Sequence, residues 1–175
     1  MKKQLLGIFL AVFVSACSTT SNVQQSPIES RGQGQRTQTQ GMVDANGLPL
    51  ILSSPESVLS ERSIYFDLDR YEVREEYRAL LGEHAKFLKE NPQFLMLIQG
   101  NTDERGSSEY NLSLGQKRAN AVRRVLTLLG VDEAQLESVS LGKEKPRALG
   151  HNEAAWAENR RADLLYRAPS GRGEF

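Results

Sequence analysis

Residues 94–106 read FLMLIQGNTDERG, and this stretch decides how the chain folds. Its first part, from Phe94 to Ile98, is an almost unbroken apolar run, which is typical of a strand buried on both faces. Its second part is a polar turn that contains Gly106 and leads into a helix predicted over residues 108–129. A buried strand followed at once by a helix indicates an α/β unit, with the polar turn at the end of the strand.

The segments around this unit alternate in the same way. Apolar residues recur every three or four positions over residues 72–90, which predicts a helix that Asn91-Pro92 ends. Short strands are predicted at 64–66, 139–141 and 162–166, with a short helix at 152–159. The order βαβαβ(α)β requires at least one right-handed parallel crossover. We therefore predict an α/β fold, a sandwich of one mixed sheet packed on helices.

The N-terminal residues have the pattern of a processing signal. Lys2 and Lys3 precede an apolar run at residues 5–14, which is too short to span a bilayer as a helix but suits a secretory signal peptide. The run ends at Cys17, the single cysteine, in a context similar to a bacterial lipobox. We predict removal of residues 1–16 and acylation of Cys17. An ordinary signal peptide beside a chance cysteine is the alternative. Ser18 in place of Asp favours the outer membrane, by analogy with lipoprotein sorting.

The composition divides the rest of the chain. Residues 18–46 are rich in Ser, Thr, Gln, Asn and Gly and bury too little surface to fold, so they predict a flexible tether. We place the lipidated end and tether at 17–60, a folded domain at 61–169 and a C-terminal tail at 170–175, with 47–60 as a transition that can lie against the domain. Without residues 1–16 there are 20 basic and 22 acidic residues, which gives no basic excess for nucleic acid.

The polar turn places Asp103 and Arg118 on either side of a helix start. An arginine fork binds a carboxylate with two hydrogen bonds, and an aspartate accepts from an ammonium. Together the two side chains suit an amino-acid head group. An internal Asp103–Arg118 salt bridge that only fixes the turn is the alternative, and the spacing alone leaves both open.

Other chemistry is less well supported by the sequence. A cell-wall hydrolase would need paired carboxylates such as Asp103 and Glu104, with one kept protonated. The adjacent Arg105 would keep them ionised, so we predict no enzyme. Two distant histidines predict no metal site, and Gly142-Lys143 lacks the rest of a phosphate-binding loop, so no cofactor is expected. His84 is expected to be a packing residue.

A family resemblance adds to this interpretation. Motifs that appear in order over residues 65–162 resemble the OmpA-like peptidoglycan-binding domain: YFD (65–67), GNTD (100–103), YN (110–111), Leu114, Arg118-Ala119, Gly142 and NRRA (159–162). More narrowly, FDLDRY (66–71), TDERG (102–106) and GKEKP (142–146) are similar to the lipoprotein branch of the Tol–Pal system.

The resemblance implies a ligand and partners. The ligand is the meso-diaminopimelate of the peptidoglycan stem peptide, with its ammonium on Asp103 and its carboxylate on Arg118. Asp69, Thr102, Asn111 and Leu114 are expected to line the site. Many relatives have His where Asn101 stands, so no role is predicted for Asn101. The resemblance further implies a lipid-anchored outer-membrane protein that faces the periplasm, binds TolB and other Tol–Pal components, maintains the envelope and acts in constriction at cell division.

Overall fold

The computed structural model describes residues 42–174, so the predicted signal peptide, Cys17 and most of the predicted tether lie outside the described residues. Within these residues, a single four-stranded sheet is flanked by three α-helices. The strands are β1 (Ser63–Tyr65), β2 (Leu95–Asn101), β3 (Leu136–Gly142) and β4 (Arg161–Arg167), and the helices are α1 (Tyr77–Glu90), α2 (Ser108–Leu128) and α3 (Glu153–Asn159).

The sheet is mixed, as the sequence predicts. The strand order is β1-β4-β2-β3, in which β2 and β3 are parallel while β4 runs antiparallel to both β1 and β2. The parallel pair is joined through α2, and the apolar run from Leu95 to Ile98 belongs to β2, in the middle of the sheet. The predicted fold class and element order are confirmed.

Helix α2 lies against β2 at a pair of glycines. A Cβ added to Gly100 would stand 1.9 Å from the carbonyl oxygen of Gly115, and one added to Gly115 would stand 2.3 Å from the Ser140 hydroxyl. Only a residue without a side chain allows this approach. The contact sets α2 close to the end of β2, where the polar turn begins.

Helix α1 begins at Tyr77, later than the sequence pattern predicts. Residues before it form a loop in which Asp69 has a left-handed φ of 58°, which a continuing α-helix excludes. Carbonyl oxygens of Asp67 and Arg70 in this loop accept hydrogen bonds from Arg118 on α2. These contacts hold the chain as a loop up to Arg70, and the helix begins seven residues later.

The folded unit extends beyond both predicted boundaries. Leu48, Leu52 and Leu59 are buried in the main core, so packing starts before residue 61. At the other end, Glu174 accepts from the backbone N–H of Tyr166 at 2.8 Å and pairs with Arg62. Residues up to 174 thus pack onto β4 instead of forming a free tail.

His84 is a buried packing residue, as predicted. Its ring nitrogens lie 2.8 Å from the Tyr166 hydroxyl and 3.0 Å from the Glu61 carbonyl oxygen. Because the carbonyl can only accept, Nε2 carries the proton and Nδ1 accepts from the tyrosine. Burial lowers the pKa of His84 from 6.5 to about 4.

Candidate functional site

A cavity of about 400 Å³ lies at the end of β2, between the polar turn, the start of α2 and the loop before α1. The six residues predicted for the ligand site all line it, together with four others. The lining residues are Leu68, Asp69, Thr102, Asp103, Arg105, Gly106, Tyr110, Asn111, Leu114 and Arg118.

Arg118 forms the inner wall of the cavity. Its side chain is fully buried, and its guanidinium donates to three backbone carbonyls: Arg70 at 2.9 Å, Asn101 at 2.9 Å and Asp67 at 3.2 Å. A guanidinium has five N–H donors, so these bonds leave two unassigned. The bonds also fix the fork in one orientation, which removes the entropy cost of ordering it on binding.

No carboxylate of residues 42–174 lies within salt-bridge distance of Arg118. Burial, which disfavours the charged form, lowers the pKa of Arg118 to about 10, although the charge of Asp103 opposes this shift. The guanidinium is still protonated at neutral pH. Buried charges are normally paired, so the cavity wall carries a positive charge that an anionic group would balance.

Asp103 does not pair with Arg118, so the predicted alternative of an internal Asp103–Arg118 salt bridge is wrong. Its carboxylate instead accepts from Arg105 at 3.1 Å (Nε) and 2.7 Å (Nη2), and from Arg160 Nη1 at 3.4 Å. Burial raises the pKa of Asp103, but the hydrogen bonds from Arg105 outweigh burial and the net shift is downward. The group is held as a carboxylate and is unsuited to be a protonated acid.

Two polar residues complete the inner surface. The buried Thr102 hydroxyl has no hydrogen-bond partner, although the Thr102 backbone N–H donates to the Gly142 carbonyl at 2.9 Å. The Asn111 side-chain amide donates to the Arg105 carbonyl at 2.8 Å and so fixes the polar turn. Leu114 adds a buried apolar surface.

The outer rim of the cavity is formed by Asp69 and Tyr110. The Tyr110 hydroxyl donates to the Asp69 carboxylate, which connects the loop before α1 to the first turn of α2. Hydrogen bonding to Asp69 raises the pKa of Tyr110. Asp69 is exposed and presents a second negative charge at the entrance.

Glu104, for which the sequence suggested no role beyond the rejected hydrolase, attaches the polar turn to α3. It accepts from Trp156 Nε1 at 2.8 Å and from His151 Nδ1 at 2.8 Å. The hydrogen bond from Trp156 lowers the pKa of Glu104 further than that from His151. Glu104 is thus also ionised and does not line the cavity.

Asn101 lies outside the cavity lining. Its amide donates to the Gln99 carbonyl at 3.1 Å and to Asp163 at 3.2 Å. Only its backbone carbonyl reaches the site, where it holds Arg118. The position at which this chain has Asn and many relatives have His therefore lies behind the cavity wall.

The sequence did not reveal the two arginines that hold Asp103. In the sequence, Arg160 stands out only as part of the NRRA motif (159–162). It is buried, and it also donates to Glu153 at 2.6 Å and to the Phe66 carbonyl at 3.2 Å. Arg105 was recognised only as a neighbouring charge. Arg160 and Asp103 are 57 residues apart in the chain, so no local sequence pattern indicates their contact.

Within residues 42–174 there is no group of three or more His, Cys, Asp or Glu side chains placed to hold a metal ion. In the same range, no helix has the length and apolar character needed to cross a membrane.

Comparisons with known proteins agree with the fold and the motifs. The profile of the OmpA family matches residues 65–160. The peptidoglycan-associated lipoprotein of Legionella pneumophila is 36% identical over 172 residues, which cover 93% of this chain and 94% of that protein. The protein of the same name from Pasteurella multocida is 49% identical over 104 residues, 59% of this chain and 69% of that protein. These names denote lipoproteins and not enzymes.

Solved structures extend the comparison. The crystal structure of the peptidoglycan-associated lipoprotein from Burkholderia pseudomallei matches with a TM-score of 0.66 and 67% identity, covering 67% of this chain and 99% of that one. The C-terminal domain of Helicobacter pylori MotB matches with a TM-score of 0.57 at 20% identity, over 61% of this chain and 84% of that one. The second likeness concerns the fold alone.

Proposed function

This chain belongs to the OmpA family, and we propose that it binds peptidoglycan noncovalently through the diaminopimelate of the stem peptide, without catalysis. Relatives at up to 67% identity carry the name peptidoglycan-associated lipoprotein. The distal centre of diaminopimelate bears an ammonium and a carboxylate on one carbon. The cavity has a buried cation and a buried anion on neighbouring walls.

The observation that carries the proposal is the buried Arg118 guanidinium, which among residues 42–174 has three neutral carbonyl partners and no carboxylate partner. A ligand carboxylate would supply the missing charge in a site shielded from water, where ionic hydrogen bonds are strongest. The unpartnered Thr102 hydroxyl is a further donor and acceptor on the same wall.

In this proposal the ligand ammonium is bound on the acidic side of the cavity. Asp103 accepts it, and Asp69 at the entrance adds a second negative charge. Asn111 keeps the turn in place, and Leu114 covers the aliphatic chain of the ligand. The arrangement matches the chemistry of an amino-acid head group better than that of a sugar or a simple amine.

The wider role belongs to the same proposal. Acyl chains on Cys17 would hold the protein in the outer membrane, with the folded domain in the periplasm. Joining a membrane anchor to a wall-binding domain in one chain raises the effective concentration of the domain at the wall, so a weak site suffices for tethering. We further propose that the protein docks to TolB and acts in the Tol–Pal system during envelope constriction. Support for TolB comes from the family resemblance.

The test is cosedimentation of purified protein with peptidoglycan sacculi. Wild type should sediment with sacculi and be released by a soluble diaminopimelate-containing stem peptide. Asp103→Asn should sediment poorly, while Asp132→Asn, which alters the cap of a short turn elsewhere, should behave as wild type because Asn caps equally well. Release of soluble wall fragments by wild type would refute the noncatalytic proposal. Equal sedimentation of both variants would refute the role of Asp103.

TolB docking needs its own experiment. The purified protein should capture TolB, and an excess of stem peptide should reduce capture if the two surfaces overlap. Capture that is unchanged by the peptide would refute overlap, and no capture at all would refute TolB as a partner.

A further inference from the structure

We propose that Arg105 occupies the position on Asp103 that a ligand ammonium would take, and must leave Asp103 before a ligand binds, so that it sets the affinity of the site. The inference rests on the proposed function, because it concerns the same ligand. It adds a residue that acts as an internal competitor of the ligand ammonium.

The contacts of Asp103 show why a competitor is present. The Arg105 guanidinium binds both carboxylate oxygens, with Nε on Oδ1 at 3.1 Å and Nη2 on Oδ2 at 2.7 Å. The Arg105 backbone N–H also donates to Oδ1, and Arg160 reaches Oδ2 at 3.4 Å. Each carboxylate oxygen thus already has two donors, and a ligand ammonium has to replace one of them.

Of the two arginines on Asp103, Arg105 is the one able to leave. Its side chain is 36% exposed, whereas that of Arg160 is 8% exposed. Arg160 is also anchored by the Phe66 carbonyl and by Glu153 at 2.6 Å. Arg160 can therefore keep Asp103 in place while Arg105 gives way.

A displaced Arg105 has a place to go. Its guanidinium already lies over the Trp156 ring, 4.1 Å from the centroid, and its Nη1 is 4.0 Å from a Glu153 oxygen. A cation–π contact and a neighbouring acid would both remain when the bond to Asp103 is broken. This lowers the cost of displacement compared with release into water.

The turn itself does not depend on the Arg105 side chain. Its backbone N–H donates to Asp103 at 3.1 Å, and its carbonyl accepts from Asn111 at 2.8 Å. Both bonds persist in an alanine variant. Removing the side chain therefore removes the competitor and leaves the site in place.

Competition of this kind lowers the affinity for every ligand that uses Asp103 by the same factor. The affinity for a simple amine, which gains only the bond to Asp103, then becomes very low. A ligand that also places a carboxylate on Arg118 recovers affinity from the second charge. Arg105 thus restricts useful binding to ligands that carry both groups.

The experiment is calorimetric titration of the full-length protein with a muramyl tripeptide that ends in meso-diaminopimelate. Arg105→Ala should bind about two- to five-fold more tightly than wild type, the factor expected for releasing a partly exposed ion pair. The affinity of Arg105→Lys should lie between those of wild type and Arg105→Ala. Arg123→Ala is the matched control, because Arg123 is 37% exposed, forms an ion pair with Glu133 and does not line the cavity, and it should bind as wild type does.

A second readout follows Arg105 directly. Peptide addition should shift the ¹⁵N resonance of Arg105 Nε in wild type and speed exchange of its proton with water. Binding that is weaker or unchanged in Arg105→Ala, or an Arg105 signal that does not move in saturated wild type, would overturn the inference while leaving the proposed function standing. Absence of binding by wild type would instead refute the proposed function, and this inference with it.

Discussion

Acidification should destabilise the domain through His84. The folded state holds this imidazole neutral, with a pKa lowered by burial from 6.5 to about 4. In the unfolded chain the ring regains its ordinary pKa, so between these values the unfolded state binds more protons. Stability is therefore highest above pH 6.5, falls as the pH drops toward 4 and stops falling through this group below 4.

The size of the effect follows from the same two pKa values. One pKa unit corresponds to about 1.4 kcal/mol, so the full loss is about 3 kcal/mol, of which about 2 kcal/mol is reached at pH 5. At pH 5 most carboxylates are still ionised, which separates this effect from general acid denaturation. The protonated ring would also lose the bond that it accepts from the Tyr166 hydroxyl at 2.8 Å.

The assay is urea unfolding at pH 7.5 and pH 5 for wild type, His84→Gln and His151→Gln. Between the two pH values, the free energy of unfolding of wild type should fall by about 2 kcal/mol more than that of His84→Gln. His151→Gln is the control that removes the other histidine, which is exposed. The reasoning is refuted if wild type and His84→Gln lose the same free energy, whatever their difference at pH 7.5.

Two further substitutions test the packing and the polar wall of the site. Gly100→Ala should destabilise the domain by about 3 kcal/mol or more, because its Cβ would stand 1.9 Å from the Gly115 oxygen. Thermal unfolding measures this loss. The control is Gly82→Ala, which has open space around the new Cβ and should unfold at or above the wild-type temperature. If both variants unfold alike, the close approach of α2 and β2 is not what positions the site. Thr102→Val should leave the unfolding temperature within a degree or two of wild type, since the hydroxyl has no partner, yet should weaken stem-peptide binding about two- to ten-fold. Unchanged peptide affinity would mean that this hydroxyl does not meet the ligand.

The sequence predicted the order of strands and helices because each element has its own local period. Strand β2 was found from its apolar run, and the end of α1 from Asn91-Pro92. The start of α1 was predicted too early. The pattern in residues 72–76 is helical, but Asp69 with its left-handed backbone and the bonds from Arg118 hold the preceding chain as a loop.

The sequence predicted residues that meet at one cavity, but not the hydrogen bonds among them. All six predicted lining residues meet at one cavity, because five of them lie on one strand–turn–helix segment and the sixth, Asp69, is drawn in by Tyr110. Local spacing could not show that Asp103 is held by Arg105 and Arg160. The pairing with Arg160 depends on α3 and β4 folding back against the turn.

The proposed binding of a ligand carboxylate by Arg118 is tested most directly by one comparison of ligands, which leaves the fold unaltered. Wild-type protein is titrated with a stem peptide that ends in meso-diaminopimelate and with the same peptide in which the distal carboxylate is a carboxamide. Removing one partner of a buried charged pair costs about 2–5 kcal/mol, so the amide should bind at least about 30-fold more weakly. Equal affinity for the acid and the amide would contradict the account.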